Sequence, residues 1–282
     1  MADRILHAGT ATLLLELGGQ RVERSDRARR LVHPADNGPI RILTDPAFDA
    51  AGREYRVGPD LVTRQFRYTN LAGAAIAPGE LGQIDLVLVS HDQHDDNLDA
   101  AGRAVLAQAK TVITTRAAAK RLKLPVQALA PWESTTVALP DGRALKITAT
   151  PARHGPPLSE WLVGEVIGFV LELEGRPPIY ISGDTVLYAG VREVARRFRV
   201  GTAILHVGAA TFGALGISLR FTMDAAEAAS AAQLLGAPQV IPIHYTGWTH
   251  FKQGRADIEG AFERAGLAER LSWLPLGQFV PF

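Results

Sequence analysis

The sequence predicts an α/β protein made of two β/α halves, on three observations. Short apolar strand candidates alternate with helical stretches along the whole chain, the pattern that builds layered α/β domains. Ile84–Ser90 is an apolar run between polar flanks, the mark of a strand buried on both faces. No Pro/Gly/Ser-rich linker, internal repeat or low-complexity tract divides the 282 residues, so one domain over residues 1–282 is the simplest organisation.

The elements follow in order. Ala11–Leu17 and Arg41–Thr44 are expected strands, separated by Arg21–Asn37, whose mixed charges suit a solvated hairpin or insertion loop. After the strand Ile84–Ser90 come a helix over Asp99–Lys110, a strand at Thr111–Thr114 and a short helix over Arg116–Leu122. Ala144–Thr150 alternates as a strand does, and Val166–Leu173 and Ile179–Ser182 form a hairpin through Glu174-Gly175-Arg176-Pro177. Val191–Arg199 is a basic helix and Ala203–Val207 a strand. Asp224–Leu235 is a helix with Gly236 as its stop signal. Val240–Ile243 is a strand, Ala256–Ala265 a helix and Leu271–Trp273 the last strand. Two glycine-bearing stretches, Asp49–Gln83 and Gly208–Thr222, exceed ordinary connections, and loops of that length are usually functional covers or disordered.

Composition narrows the chemistry. The chain has no cysteine, which removes disulfides, a thiolate nucleophile and Cys-ligated zinc or iron–sulfur sites. A net charge of +1, with no basic patch interleaved with aromatics, argues against nucleic acid as the partner. No apolar stretch reaches the ~18 residues of a membrane span, and the start lacks a signal-peptide pattern. A cytoplasmic protein acting on a small-molecule substrate is expected; its oligomeric state is left open.

Four strands each end in a metal-capable side chain. Ser90-His91-Asp92-Gln93-His94-Asp95-Asp96-Asn97-Leu98-Asp99 follows the buried strand and packs two imidazoles and four carboxylates into nine residues, His91 to Asp99. His154 follows Ala144–Thr150, Asp184 follows Ile179–Ser182 in Ser182-Gly183-Asp184-Thr185, and His244 follows Val240–Ile243. Strand ends are where α/β sheets place their sites. Imidazole and carboxylate suit borderline divalent cations, and a two-oxygen carboxylate such as Asp184 can bridge two of them. Singly, a strand-end histidine is more often a structural hydrogen-bonder than a ligand, and Gly-Asp-Thr is often a capped turn; together they point to a metal site.

This ordered set resembles the metallo-β-lactamase fold superfamily, with a His-x-His-x-Asp-His motif after a buried strand, then a His, a bridging Asp and a final His. His7-Ala8-Gly9-Thr10-Ala11-Thr12-Leu13, Leu43-Thr44-Asp45-Pro46, Thr222-Met223-Asp224 and Ile241-Pro242-Ile243-His244-Tyr245 support the likeness. It spans about Ile5 to Trp273 and looks closest to the sugar-phosphate lactonases and N-acyl-phospholipid phosphodiesterases. The resemblance implies an αββα sandwich: two β-sheets flanked by helices, with metals in a cleft at one edge.

The motif departs from the family spacing, because His91 and His94 are three apart rather than two. In one register Gln93 replaces the second His, and Asp95 and Asp96 take the Asp-His places. In the preferred register one residue is inserted: His94 is the second ligand, Asp96 the Asp, and Asn97 replaces the final His. The resemblance then implies one metal on His91, His94 and His154, bridged by Asp184. A second would lie on Asp96, Asp184, His244 and the Asn97 amide oxygen, an exchange that weakens or hardens that position. One or two divalent ions are expected, zinc first, with manganese or iron as alternatives.

The expected activity is hydrolysis of an ester, lactone or phosphodiester by metal-bound hydroxide, with Asp96 orienting it. The alternatives are an iron-dependent oxidoreductase on the same fold, or a non-catalytic degenerate member. Asp45 is a candidate outer-shell partner of a histidine, and His206 and His7 read as buried, hydrogen-bonded residues. Tyr245 and His250 are candidate proton donors or oxyanion binders, with packing or rim positions the simpler reading. Trp161 and Trp248 are candidate substrate walls, and Arg64, Arg67 and Arg153 candidate anion readers.

Overall fold

The computed structural model describes residues 3–18, 38–57, 66–139, 142–214 and 217–282. Arg21–Asn37 and Arg64 lie outside the described residues. Among the described residues one sheet carries β1 (Arg4–Gly9), β2 (Thr12–Leu17), β3 (Ile40–Thr44), β6 (Leu86–Leu88), β7 (Thr111–Thr114), β8 (Gln127–Ala128) and β17 (Phe279–Pro281) in the order 17-1-2-3-6-7-8. A second carries β9 (Ser134–Ala138), β10 (Ala144–Pro151), β11 (Ile167–Leu173), β12 (Ile179–Ile181), β13 (Thr202–His206) and β16 (Gln239–Ile243) in the order 16-13-12-11-10-9. Two small hairpins stand apart, β4 (Glu54–Arg56) with β5 (Arg67–Thr69), and β14 (Thr211–Ala214) with β15 (Ile217–Arg220). The helices are α1 (Ala100–Leu106), α2 (Arg116–Arg121), α3 (Glu160–Val163), α4 (Ala189–Arg197), α5 (Ala225–Leu235) and α6 (Arg255–Arg264), and none is long and apolar enough to cross a membrane.

Side-chain alternation along the strands produces the layers. Leu13, Leu15, Ile42, Leu86 and Leu88 of the first sheet share one buried cluster with Ile147, Phe169, Leu171, Ile181, Ile204 and Ile241 of the second. Their neighbours one residue away face outward. Leu14, Leu43, Val87 and Val112 pack with Val105 and Leu106 of α1. Val170, Tyr180, Ala203 and Val240 pack with Val191 and Val194 of α4, the alanine face of α5, and Ile258 and Phe262 of α6. The strands are apolar on both sides because each sheet is covered on both faces. The result is the αββα sandwich.

The helix ends follow their caps. Asp99, Thr115 and Asp224 accept hydrogen bonds from the backbone N–H groups of Gly102, Ala118 and Glu227 at 2.7, 2.9 and 2.8 Å, satisfying donors that a first turn leaves unpaired. Gly236 ends α5 in the left-handed conformation.

Direction of the strands decides where their ends meet. β10 and β12 each pair antiparallel with β11, and β12, β13 and β16 pair in parallel. The carboxyl ends of β10, β12, β13 and β16 therefore lie on one edge. There the backbone is strained: Thr10, Asp45 and His244 have φ of 47°, 36° and 61°, unusual for residues with a Cβ. They are tied together, since His244 N–H donates to the Thr10 carbonyl at 2.9 Å and the Thr12 hydroxyl donates to the Asp45 carbonyl at 2.7 Å.

One expectation needs correction. Leu271–Trp273 is not a strand: Leu271 makes one parallel bridge to Val240, and the last strand is β17, paired with β1. Pro275 follows too closely for the run to continue. The stretches Asp49–Gln83 and Gly208–Thr222 carry hairpins, whose Tyr55, Tyr68 and Phe212 cluster with Trp248 and Phe251. Small aromatic cores of this kind hold long connections in place.

The edge has little tolerance. Gly208 has φ +103°, and a Cβ there falls 2.4 Å from the His244 carbonyl oxygen and 2.8 Å from Tyr245 Cα. Gly208→Ala is expected to cost about 1–3 kcal/mol, measured by urea denaturation; a variant within a few tenths of the parent contradicts it.

Candidate metal centre

The strand edge gathers two groups of donors. His91 Nε2 lies 3.2 Å from His94 Nδ1, which lies 3.1 Å from His154 Nε2. Asp184 closes this group, its Oδ2 3.7 Å from His154 Nε2 and 4.0 Å from His91 Nε2. The other carboxylate oxygen, Oδ1, lies 3.6 Å from His244 Nε2, which in turn lies 3.1 Å from Asp96 Oδ2. All six side chains are buried. In each group, His91–His94–His154–Asp184 and Asp96–Asp184–His244, the donor atoms lie within 4.8 Å of one another.

Local chemistry holds the donors in place. The His154 ring faces the Phe221 carbonyl with Nδ1 at 2.9 Å. A carbonyl only accepts, so Nδ1 carries the proton and Nε2 the lone pair. The Ser90 hydroxyl lies 2.9 Å from His91 Nδ1, and Ser90 N–H donates to Asp45 Oδ1 at 2.7 Å. The motif loop is clamped from outside: Arg121 Nε donates to both oxygens of Asp92 at 3.0–3.1 Å, and Arg103 donates to the Asp92 carbonyl. Asp95 N–H donates to the Tyr68 hydroxyl at 3.0 Å, which donates to Asp95 Oδ2 at 3.2 Å.

These residues fit a cation. Burial pushes the His94 imidazole down to about 4 and holds His91 and His154 well below the usual range, each also lowered by neighbouring imidazoles. Three neutral rings thus aim nitrogens at one point without enough protons to join them. His94 Nε2 and His244 Nδ1 are buried with no partner among the described residues. Burial raises the Asp184 carboxyl to about 6, against the lowering effect of His244 and His206. Asp96 differs: burial works to raise it, but hydrogen bonds to His244 and His250 hold it well below the ordinary carboxylate range. Burial works to lower His244, yet Asp184 and Asp96 carry it up to about 9.

The remaining candidates are scattered. Gln93 points away: its Oε1 accepts from Asp92 N–H at 3.2 Å, and its side chain fills the space beside Gly164. Asn97 presents its Nδ2 to Asp184 Oδ1 at 3.5 Å, and its own oxygen has no partner. Asp45 Oδ2 lies 3.6 Å from His206 Nε2, and the Ser182 hydroxyl lies 3.2 Å from His206 Nδ1. His7 Nε2 lies 3.1 Å from the Thr10 carbonyl. Trp248 is buried and donates to the Thr10 hydroxyl at 2.9 Å, whereas Trp161 is exposed. Tyr245 packs on Trp273, Arg67 pairs with Glu54, and Arg153 lies over the Tyr188 ring.

His250 is the residue that sequence reasoning undervalued. It is no rim residue: it is buried, with Nε2 2.9 Å from Asp96 Oδ2. It follows no strand, so the strand-end rule passes over it. The available signal was its setting between Trp248 and Phe251, six residues after His244.

Comparison with known proteins gives the family and the fold. The family model of the beta-lactamase superfamily domain matches residues 40–245. A relative from Methanosphaerula palustris, named UPF0173 metal-dependent hydrolase, is 30% identical over 185 residues, covering 64% of this chain and 77% of its own. A possible metal-dependent hydrolase from Veillonella parvula superposes with a TM-score of 0.77 at 18% identity, covering 100% of both chains. An isothiocyanate hydrolase from Delia radicum gut bacteria gives a TM-score of 0.75 at 18% identity, covering 99% of this chain and 98% of that one.

His206, which packs beside His244 but belongs to neither donor group, offers a test of the buried histidines. Burial lowers its imidazole to about 3, against an ordinary 6.5. Between those values the unfolded chain holds the extra proton, so stability falls as pH falls, by about 1.4 kcal/mol per pH unit from this residue. For metal-free protein, the stability lost between pH 5.5 and 4.5, where the unfolded histidine is almost fully protonated, should be smaller in His206→Gln by about that amount, read by urea titration at each pH.

Proposed function

The chain belongs to the beta-lactamase superfamily, and on that premise we propose that it is a metal-dependent hydrolase with a dinuclear centre, acting on an uncharged ester or lactone. The observation that carries this reading is Asp184, whose two oxygens face separate donor groups. His91, His94 and His154 with Asp184 would hold one ion, and Asp96, Asp184 and His244 a second, with zinc the ion best suited to the nitrogen-rich set. Bound there, divalent ions supply Lewis acidity, which lowers the pKa of water and polarises the bond to be cleaved.

The chain's own residues supply orientation. Asp96, kept ionised by its histidine contacts, offers an acceptor that can orient a water nucleophile. The substrate class follows from the surroundings. Phe221 packs on His154, Phe251 on His244, and Tyr68 and Phe212 on His250. Aromatic walls favour a neutral substrate over a phosphodiester, whose charge calls for cationic partners.

The test has two steps. Elemental mass spectrometry of protein purified without chelator is expected to give about two zinc ions per chain. Hydrolysis is then assayed with a lactone, an aryl ester, a phosphodiester and, in view of one structural neighbour, an isothiocyanate. Stoichiometric iron without hydrolysis overturns the proposal in favour of an oxidoreductase, and no metal uptake leaves a degenerate member.

Two substitutions sharpen it. Asp184→Ala is expected to lose both ions and to slow turnover more than about a hundredfold, the upper range for outer-shell changes. His94→Ala should lose metal while Gln93→Ala keeps it, both read by metal stoichiometry; the reverse outcome restores the other register of the motif.

A further inference from the structure

We propose that His250 is a protein ligand of the second ion, supplying the imidazole that position 97 lacks. This rests on the dinuclear reading above. The first donor group contains three imidazoles and a carboxylate; the second, as grouped by proximity, has two carboxylates and His244 alone. Asn97 turns its amide nitrogen toward Asp184 at 3.5 Å, and an amide N–H has no lone pair to offer a cation on that side.

His250 approaches the carboxylate of Asp96 from outside the strand framework. Its Nε2 is 2.9 Å from Asp96 Oδ2, the very oxygen that His244 Nε2 approaches at 3.1 Å. These separations match the 3.1–3.2 Å spacing of the three donor nitrogens in the first group. Its other nitrogen, Nδ1, is buried and has no partner among the described residues.

The ring is also pre-positioned. Phe212 stacks on it at 4.9 Å and 13°, Tyr68 meets it edge-on at 5.0 Å, and Phe251 lies at 4.4 Å. Rigid support of this kind is what a ligand needs to hold its geometry. The aromatic cluster joining the two hairpins thereby acquires a role: it delivers an imidazole to the metal edge from outside the strand framework.

The experiment uses the full chain. Zinc per chain is measured after dialysis for the parent, His250→Ala, His250→Gln and, as a control, His154→Ala; cobalt-substituted protein is examined by absorption spectroscopy. The parent is expected to hold two ions. Both His250 variants should hold about one, with the affinity of the remaining ion unchanged and a reduced d–d absorption. Circular dichroism verifies folding, and His250→Gln covers the case in which alanine collapses the aromatic cluster. Two tightly bound ions in a folded His250 variant, with the cobalt spectrum of the parent, overturn the proposal and make His250 a positioning residue for Asp96. A parent that binds no second ion overturns the dinuclear reading itself, an outcome separable from the first.

Discussion

The carboxylate of Asp184 is the constraint on which this molecule is built. Its Oδ2 faces His91 and His154 and its Oδ1 faces His244, so one side chain links two donor groups. For that to happen, four strands from two sheets must end on one edge. His91 comes from the first sheet, and His154, Asp184 and His244 from the second. The shared interior cluster between the sheets fixes their separation and hence the reach of each ligand. A sheet that slipped by one residue would turn its apolar set outward and its ligands away.

Placing so many polar groups on one edge has a conformational cost, concentrated in a few backbone positions. Thr10, Asp45 and His244 adopt positive φ, each at a cost of order 1–3 kcal/mol. Hydrogen bonds from neighbouring elements hold them there, notably His244 to Thr10 and Thr12 to Asp45. Buried histidines add a second cost, because burial keeps His7, His94 and His206 neutral at about 4, 4 and 3. The same burial leaves the His94 lone pair uncontested by protons at neutral pH, whereas His244, carried up to about 9 by the two carboxylates, must release a proton to bind a cation. Local destabilisation and readiness to bind a cation are thus two faces of one arrangement.

Much of this was legible in the sequence, for a specific reason. His91, His154, Asp184 and His244 each follow a short apolar strand, and strand ends in layered α/β proteins converge. Helix starts were equally readable, since Asp99, Thr115 and Asp224 are caps with local hydrogen bonds. What escaped was non-local. His250 belongs to no strand, and only the folding of two hairpins around Trp248 brings it to Asp96. Leu271–Trp273 has the composition of a strand but only one ladder contact, to Val240, because Pro275 follows too closely for the run to continue. The departure at Gln93 and Asn97 could be described from sequence, but the side-chain directions that separate the two registers required three dimensions.

The charge count at the centre narrows its chemistry further. On the dinuclear reading, the imidazoles are neutral and only Asp96 and Asp184 carry charge among the proposed ligands. Two carboxylates set against two divalent ions leave an excess of positive charge in a buried, largely aromatic setting. Excess positive charge at low dielectric favours a transition state in which an oxyanion develops on a substrate that enters uncharged. A substrate already carrying a phosphate would be held strongly in its ground state as well, which lowers KM without raising kcat. The aromatic walls and the charge excess therefore favour the same partner, a neutral carbonyl compound whose charge appears only as it reacts.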